Sequence, residues 1–218
     1  MRQLDRLKHP HWIASLASFF AVTSLLFISF VAHATMESPL PMMERTANQM
    51  LRELKQDQQK IKQQPDFVHQ LVRRVLLPHV DLPMMARMVL GRDMWAKASP
   101  RERQEFTEEF TTLLLRTYAS ALSAYNDQQV EFFPIRGGVD NKVRVQVESK
   151  IVRKDGPPIP LNYRLLHQGK EWKVYDFTVE GVSMIESFRS QFAEQLSQGG
   201  GMTALLNTLK EHNRMRKK

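Results

Sequence analysis

The chain has 218 residues, a length that predicts one domain or two small ones. Its 42% hydrophobic and 25% charged residues are typical of a globular protein, and they exclude a disordered chain or a polytopic membrane protein. Cysteine is absent, which excludes disulfides, thiolate metal sites and cysteine nucleophiles. The 31 basic residues outnumber the 23 acidic ones, and the net charge of +8 favours an anionic partner such as nucleic acid or a membrane surface.

Residues 1–34 are organised like a secretory signal peptide. Three basic residues precede an uncharged stretch from Trp12 to Ala32, and an Ala-His-Ala motif closes this stretch at Ala34. The sequence therefore predicts cleavage before Thr35, which would lower the net charge from +8 to +6. An uncleaved anchor is the alternative, because about 20 apolar residues can span a bilayer. Export argues against nucleic acid as the partner and predicts the bacterial periplasm as the compartment.

The first half of the mature chain has helical periodicity. Apolar residues recur at helical spacing over residues 43–61, and Pro65 is expected to end that helix. A second helix is predicted over residues 67–76, with Asp66 as its N-cap and Pro78 as its stop.

Two further helices have clear start signals. Asp81 is the predicted N-cap of a short helix that Gly91 ends. Ser99 and Glu102 flank a proline in a capping-box arrangement, which predicts the start of the longest helix, over residues 100–125.

After residue 126 the hydrophobic period changes to two, which predicts an antiparallel meander. In the second predicted strand, Val143, Val145 and Val147 share one face, with Arg144 and Gln146 on the other. The four expected strands cover residues 130–135, 142–153, 159–165 and 172–179. Two more amphipathic helices follow the last strand and complete the chain. Helices followed by a curved antiparallel sheet predict one α+β domain over residues 35–218, with a helical layer packed on the sheet.

No catalytic motif is present. The chain has no nucleophile elbow, no glycine-rich phosphate loop and no pair of histidines spaced to hold a metal ion. Met84 and Met88 could act as thioether copper ligands, but no histidine is interleaved with them, and flexible apolar packing is the favoured interpretation. No metal site is predicted.

Asp176 is the acid most compatible with catalysis. It lies among Trp172, Val174, Tyr175 and Phe177, and on the inner face of a cone-shaped fold it could act as a general base. A hydrogen-bonded structural aspartate is the competing interpretation and the favoured one.

Two stretches carry a resemblance to a known family. The first includes Leu90-Gly91-Arg92-Asp93-Met94-Trp95 and the pair Phe106 and Phe110, and the second includes Trp172-Lys173-Val174-Tyr175-Asp176 and Glu180-Gly181-Val182-Ser183. Together they resemble the MlaC family, also called the toluene-tolerance family, over roughly residues 45–210. Phe188 departs from the pattern, in which a tyrosine is expected.

The resemblance implies a fold like nuclear transport factor 2, a cone that encloses a deep apolar pocket for acyl chains. It implies a periplasmic phospholipid carrier that is monomeric, is not an enzyme, and has no cofactor, only bound phospholipid as cargo. Its implied partners are an inner-membrane ABC transporter with its substrate-binding ring protein and an outer-membrane lipoprotein–porin complex. The system that contains them maintains the lipid asymmetry of the outer membrane.

The predicted pocket combines apolar residues from the helices and from one face of the sheet. They are Leu76, Val80, Met84, Met88, Phe110, Leu114, Tyr118, Val145, Val147, Tyr163, Leu165, Trp172 and Val174. No cluster of polar groups is evident for a headgroup, so phosphatidylethanolamine and phosphatidylglycerol are expected to bind about equally. Two alternatives stay open: an exported isomerase or dehydratase with Asp176 as its base, and a structural envelope protein.

Overall fold

Eight α-helices, one short 3-10 helix and five strands follow one another in the part of the chain that the computed structural model describes, residues 37–125, 127–197 and 200–215. The predicted signal peptide and its cleavage site lie outside these residues. The helices are α1 (Leu40–Gln56), α2 (Gln58–Gln63), α3 (Phe67–Val75), the 3-10 helix (Leu77–His79), α4 (Leu82–Leu90), α5 (Arg92–Lys97), α6 (Pro100–Ser123), α7 (Met184–Ser197) and α8 (Gly201–Met215). The strands are β1 (Gln129–Phe132), β2 (Arg144–Val152), β3 (Ile159–Gln168), β4 (Glu171–Val179) and β5 (Val182–Ser183).

The helix predicted over residues 43–61 is divided into α1 and α2. The division is at Asp57, whose backbone leaves the helical region at φ −99° and ψ 16°. Periodicity did not indicate this break because the apolar stripe continues across it. The six-residue helix α5 was not predicted, since a segment of that length has too few turns to show a period.

The cap signals correctly located the starts of α4 and α6. The Asp81 carboxylate accepts the backbone N–H of Met84 at 3.0 Å, and Gly91 ends α4 with a φ of 77°. Ser99 accepts the N–H of Glu102 at 3.3 Å, and the Glu102 carboxylate accepts the N–H of Ser99 at 2.8 Å, which completes the capping box. Asp66 was predicted to cap α3, but its side chain makes no such hydrogen bond.

The five strands form one antiparallel sheet in the order β1-β2-β3-β4-β5, so the predicted α+β class and the meander are confirmed. The register between β3 and β4 shifts next to Leu165: Arg164 pairs with Asp176, whereas Leu165 pairs with Val174. Tyr175 is thus the extra residue of a bulge. Val143 was predicted to be on the buried face, but it lies outside β2 and its side chain is 63% exposed.

The apolar side chains form three clusters. The helical cluster joins α4, α6, α7 and α8, and its centre is the aromatic group Phe106, Phe110, Phe188 and Phe192. A second cluster packs α1, α2 and α3 against the C-terminal half of α6. The third lies between the sheet and the start of α1. Within the described ranges, each helix is too short or too polar to cross a membrane.

Candidate functional site

The sheet has one face that is almost entirely apolar, which we call the inner face. Side chains of paired residues in an antiparallel sheet project from the same side, so the register defines the members of this face. Its only polar members are Ser149, the Tyr163 hydroxyl and His167 at the rim. The apolar members are Val130, Phe132, Val145, Val147, Ile151, Ile159, Leu161, Leu165, Trp172, Val174, Phe177, Val179 and Val182.

One end of the inner face, the closed end, is covered by the chain itself. Its members Val145, Val147, Leu165, Trp172 and Val174 are all buried. They pack against the start of α1 and the segments before α4 and β2, and the covering residues include Met43, Val80 and Val139. Hydrogen bonds hold this cover in place. The Trp172 indole N–H donates to the carbonyl of Glu37 at 2.8 Å, and the Asp81 N–H donates to the carbonyl of Val174 at 2.8 Å.

The other end, the open end, is only half-buried. Its members are Val130, Ile151, Ile159, Leu161, Phe177 and Val179, and all of them keep some solvent access. The C-terminal half of α6 lies opposite, where the Tyr118 ring meets Phe177 edge to face at a centroid distance of 5.1 Å. We call the partly exposed apolar surface between Tyr118 and the open end the cleft.

Tyr163 lies between the two ends. Its side chain is half-buried, yet burial raises the pKa of its phenol to about 12, and a hydrogen bond with Ser149 opposes this shift. Phe132 stacks on the ring at a centroid distance of 6.1 Å. Across the cleft, burial and the nearby Asp176 raise the pKa of Tyr118.

The structure distributes the predicted pocket residues over several places. The closed end contains five of the predicted strand residues, Val145, Val147, Leu165, Trp172 and Val174. Val80 packs on both the closed end and the helical cluster. Tyr118 faces Phe177, whereas Met88, Phe110 and Leu114 belong to the helical cluster. Leu76 packs against the α1–α3 cluster, and Met84 is half-buried.

The open end of the inner face was missed as a group. Ile151, Ile159 and Leu161 were recognised as the apolar positions of their strands, but they were not chosen for the pocket. Strand alternation could have identified them, because it continues unbroken along β2 and β3. Phe177 and Val179 could not be found in this way, since the bulge at Tyr175 reverses the alternation of β4.

Two of the cavities in the described part of the chain are small and half-open. One of about 300 Å³ lies beside the polar face of β2 and is lined by Pro134, Ile135, Arg136, Lys142, Arg144, Val145, Gln146 and Glu148. The other, of about 270 Å³, lies between α1, α2 and the end of α6, with Leu54, Gln58, Ile61, Lys62, Leu122, Ser123, Ala124 and Tyr125 around it. The first is at the lower limit of the range of about 300–1,000 Å³ for ligand pockets, and the second is below it. The lining of the second cavity includes Leu122, one helical turn beyond Tyr118.

Asp176 is arranged as a structural group and not as a base. Its register partner is Arg164, so it lies on the opposite face from Phe177. The fully buried carboxylate accepts the Ser183 hydroxyl at 2.8 Å and the Ile185 N–H at 3.2 Å, and the Arg164 guanidinium is 3.5 Å away. These bonds attach the start of α7 to β4 and do not point the carboxylate into the cleft.

The histidines and acids of the described ranges form no group of three or more that could hold a metal ion. The methionine pair considered for copper is placed in apolar surroundings, because Met88 packs on the helical cluster beside the buried Met85. The cleft is therefore lined by hydrocarbon and aromatic groups.

Comparison with known proteins gives a consistent result. A family model described as MlaC protein matches residues 44–211. The chain is 29% identical over 164 residues to the toluene tolerance protein ttg2D of Pseudomonas putida, which covers 75% of each chain. It is 29% identical over 194 residues to the intermembrane phospholipid transport system binding protein MlaC of Haemophilus influenzae, with 86% of this chain and 90% of the relative covered. A solved structure of a phospholipid-binding protein from Ralstonia solanacearum in complex with a phospholipid matches with a TM-score of 0.77 at 30% identity, over 84% of this chain and 100% of the other.

Proposed function

The chain belongs to the MlaC family, and on that premise we propose that it binds phospholipid as cargo and carries it between membranes. The observation that carries the proposal is the open end of the inner face, an apolar wall that the chain covers only in part. A diacyl phospholipid has on the order of 30 methylenes, and removing each from water is worth about 0.8 kcal/mol. A carrier across an aqueous space must supply an enclosure of similar apolarity, and an inner face of aliphatic and aromatic side chains is suited to this.

The acyl chains enter between Tyr118 on α6 and Phe177 on β4 and extend along the inner face towards Tyr163. Val147 and Leu165 lie beyond the cleft, where the start of α1 buries them, and Val80 packs on the same cluster. The two cavities are each too small for two long chains, so the helices and the open end of the sheet move apart as lipid enters. Of the predicted lining residues, Phe110, Leu114 and Met88 support the wall from behind through the helical cluster.

The remaining functional assignments follow from the same proposal. Residues 1–34 direct export and are removed before Thr35, so the mature protein acts in the periplasm as a monomer without an enzymatic activity. It receives and delivers lipid at an outer-membrane lipoprotein–porin complex and at an inner-membrane ABC transporter with its ring protein. Burial of acyl chains is non-directional, so phosphatidylethanolamine and phosphatidylglycerol are carried about equally.

Native mass spectrometry of the protein purified from the periplasm tests the carrier function. We expect a mass increment that corresponds to one phospholipid, which organic extraction removes. Protein that stays empty after incubation with mixed-lipid vesicles would overturn the proposal. The same material gives the N-terminus, and a first residue other than Thr35 would contradict the cleavage site.

A further inference from the structure

The apolar inner face contains one pair of hydroxyl groups, those of Tyr163 and Ser149. Tyr163 pairs with Phe177 across β3 and β4, and Phe177 meets Tyr118 where the acyl chains enter. Directly opposed Cβ atoms of an antiparallel sheet are about 5 Å apart, so Tyr163 is adjacent to Phe177 on the inner face. The hydroxyl pair therefore lies beside the entrance of the cleft.

The Tyr163 hydroxyl is directed towards the open end. Its hydrogen-bonding neighbour is Ser149, which pairs with Leu161 of the open end, two residues before Tyr163 on β3. Phe132 pairs with Ser149 and stacks on the Tyr163 ring at a centroid distance of 6.1 Å. The ring is thus held between the two ends, and its polar atom is on the side of the half-buried wall.

The two hydroxyl protons have different partners. Ser149 donates its one proton to the carbonyl of Leu161, so in the neutral pair Tyr163 donates to the Ser149 oxygen. An ionised Tyr163 would accept the Ser149 proton instead, and for this reason the contact opposes the rise in the pKa of Tyr163. If Tyr163 turns its proton to another acceptor, Ser149 stays hydrogen-bonded to Leu161.

We propose that the Tyr163 hydroxyl donates to an ester carbonyl of the bound phospholipid, and thereby distinguishes ester-linked from ether-linked chains. The inference rests on the proposed function. The esters of a diacyl phospholipid lie between its chains and its headgroup, so they stop near the entrance once the chains extend along the inner face. An ester carbonyl loses hydrogen bonds with water there, and a donor in the wall replaces one of them.

The other polar members of the inner face are less suited to this role. Ser149 has its proton engaged, and His167 lies four residues farther along β3, about 13 Å away at the rise of a strand. The His167 ring packs edge to face on Trp172 of the closed end at a centroid distance of 4.9 Å. Tyr118 has a hydroxyl across the cleft, and the experiment includes it as the competing donor.

The test compares two phosphatidylglycerols with chains of equal length, one ester-linked and one ether-linked. The exported protein is incubated with vesicles that contain equal amounts of both, and the bound lipids are quantified by mass spectrometry. We expect wild-type protein to bind the ester lipid about two- to tenfold better, the range for one neutral hydrogen bond, and Y163F to bind both about equally.

The matched control is Y125F, which removes a hydroxyl beside the second cavity and should keep the wild-type ratio. S149A removes the acceptor with which the ester competes, so its preference for the ester lipid should equal or exceed that of the wild type. A preference that Y163F keeps, that Y125F or S149A loses, or that Y118F alone abolishes would overturn the assignment to Tyr163.

The wild-type result separates this inference from the function on which it rests. Protein that binds both lipids equally would overturn the role of Tyr163 and leave the carrier function in place. Protein that binds neither lipid would overturn the carrier function.

Infrared spectroscopy of bound phosphatidylglycerol with isotope-labelled ester carbonyls observes the proposed bond directly. A hydrogen bond lowers the stretching frequency of a carbonyl, so we expect a lower frequency in the wild-type complex than in the Y163F complex. Equal frequencies in the two complexes would contradict a bond between Tyr163 and the ester.

Discussion

The two ends of the inner face have the same kind of sequence and different surroundings. On β2, Val147 of the closed end and Ile151 of the open end occupy the same face, four residues apart. Val147 is fully buried under the start of α1, whereas Ile151 keeps solvent access. Alternation therefore specifies which face is apolar, but the covering segments decide whether that face becomes core or a binding surface.

The largest effect is expected for a charge at the closed end. In the V147D variant the carboxylate would be buried without a partner, and we expect a loss of about 4 kcal/mol or more in the free energy of unfolding. Urea denaturation followed by circular dichroism measures this loss. A folded V147D protein of near wild-type stability would mean that the closed end is not core.

The I151D variant is the matched experiment at the open end. Its carboxylate can stay hydrated, so we expect a stability loss of only about 1 kcal/mol but little retained phospholipid. Lipid extraction from the folded variant checks this. If I151D retains lipid as wild type does, the acyl chains do not pass along the open end.

Substitution of Asp81 tests the side-chain hydrogen bonds that hold the start of α4 beside the closed end. D81A removes the α4 cap and the 2.6 Å hydrogen bond from the Gln168 amide, and we expect a loss of about 1–2 kcal/mol. D81N retains a capping oxygen and should lose less. Faster release of lipid from D81A than from D81N would show that the closed end contributes to retention, and equal rates would contradict this.

A substitution in the capping box of α6 is the control, because this box lies in neither end of the inner face. S99A should reduce the free energy of unfolding by about 1 kcal/mol, because the N–H of Glu102 loses its acceptor. Lipid retention should stay at the wild-type level. A decrease would mean that retention follows global stability, and the comparison of the two ends would lose its basis.

The smallest effect concerns pH. Burial, and next the Lys173 ammonium, lower the pKa of His79, which lies in the 3-10 helix just before the closed end. The unfolded chain therefore takes up the proton first, and stability is lost as the pH falls below about 6.5. H79Q should reduce the difference in melting temperature between about pH 7.5 and pH 5.5. Burial lowers the pKa of His69 as well, so H69Q should also reduce this difference. An unchanged difference in both variants would contradict the contribution of buried neutral histidines.

The sequence predicted the helices and strands from local signals, whereas its choice of pocket residues stays a prediction. Caps such as Ser99 and Asp81 act through bonds within four residues, so they can be recognised locally. The open end depends on where α6 lies relative to β4, which no local pattern contains. Phe110 and Leu114 were expected in the pocket because a wide apolar stripe on a helix does not reveal which part faces another helix.

Tyr175, the extra residue of the bulge, changes which residues of β4 face each side of the sheet. Before it, the even-numbered Trp172 and Val174 lie on the inner face. After it, the odd-numbered Phe177 and Val179 do. If Tyr175 paired with Arg164 in a regular ladder, Asp176 would project from the inner face where Phe177 does now, and a carboxylate would interrupt the apolar surface. Deleting Tyr175 would instead make Val174 and Asp176 consecutive, with Asp176 still opposite Arg164 and Phe177 still opposite Tyr163. The bulge therefore allows one strand to hold a salt-bridged acid on one face and an apolar wall on the other.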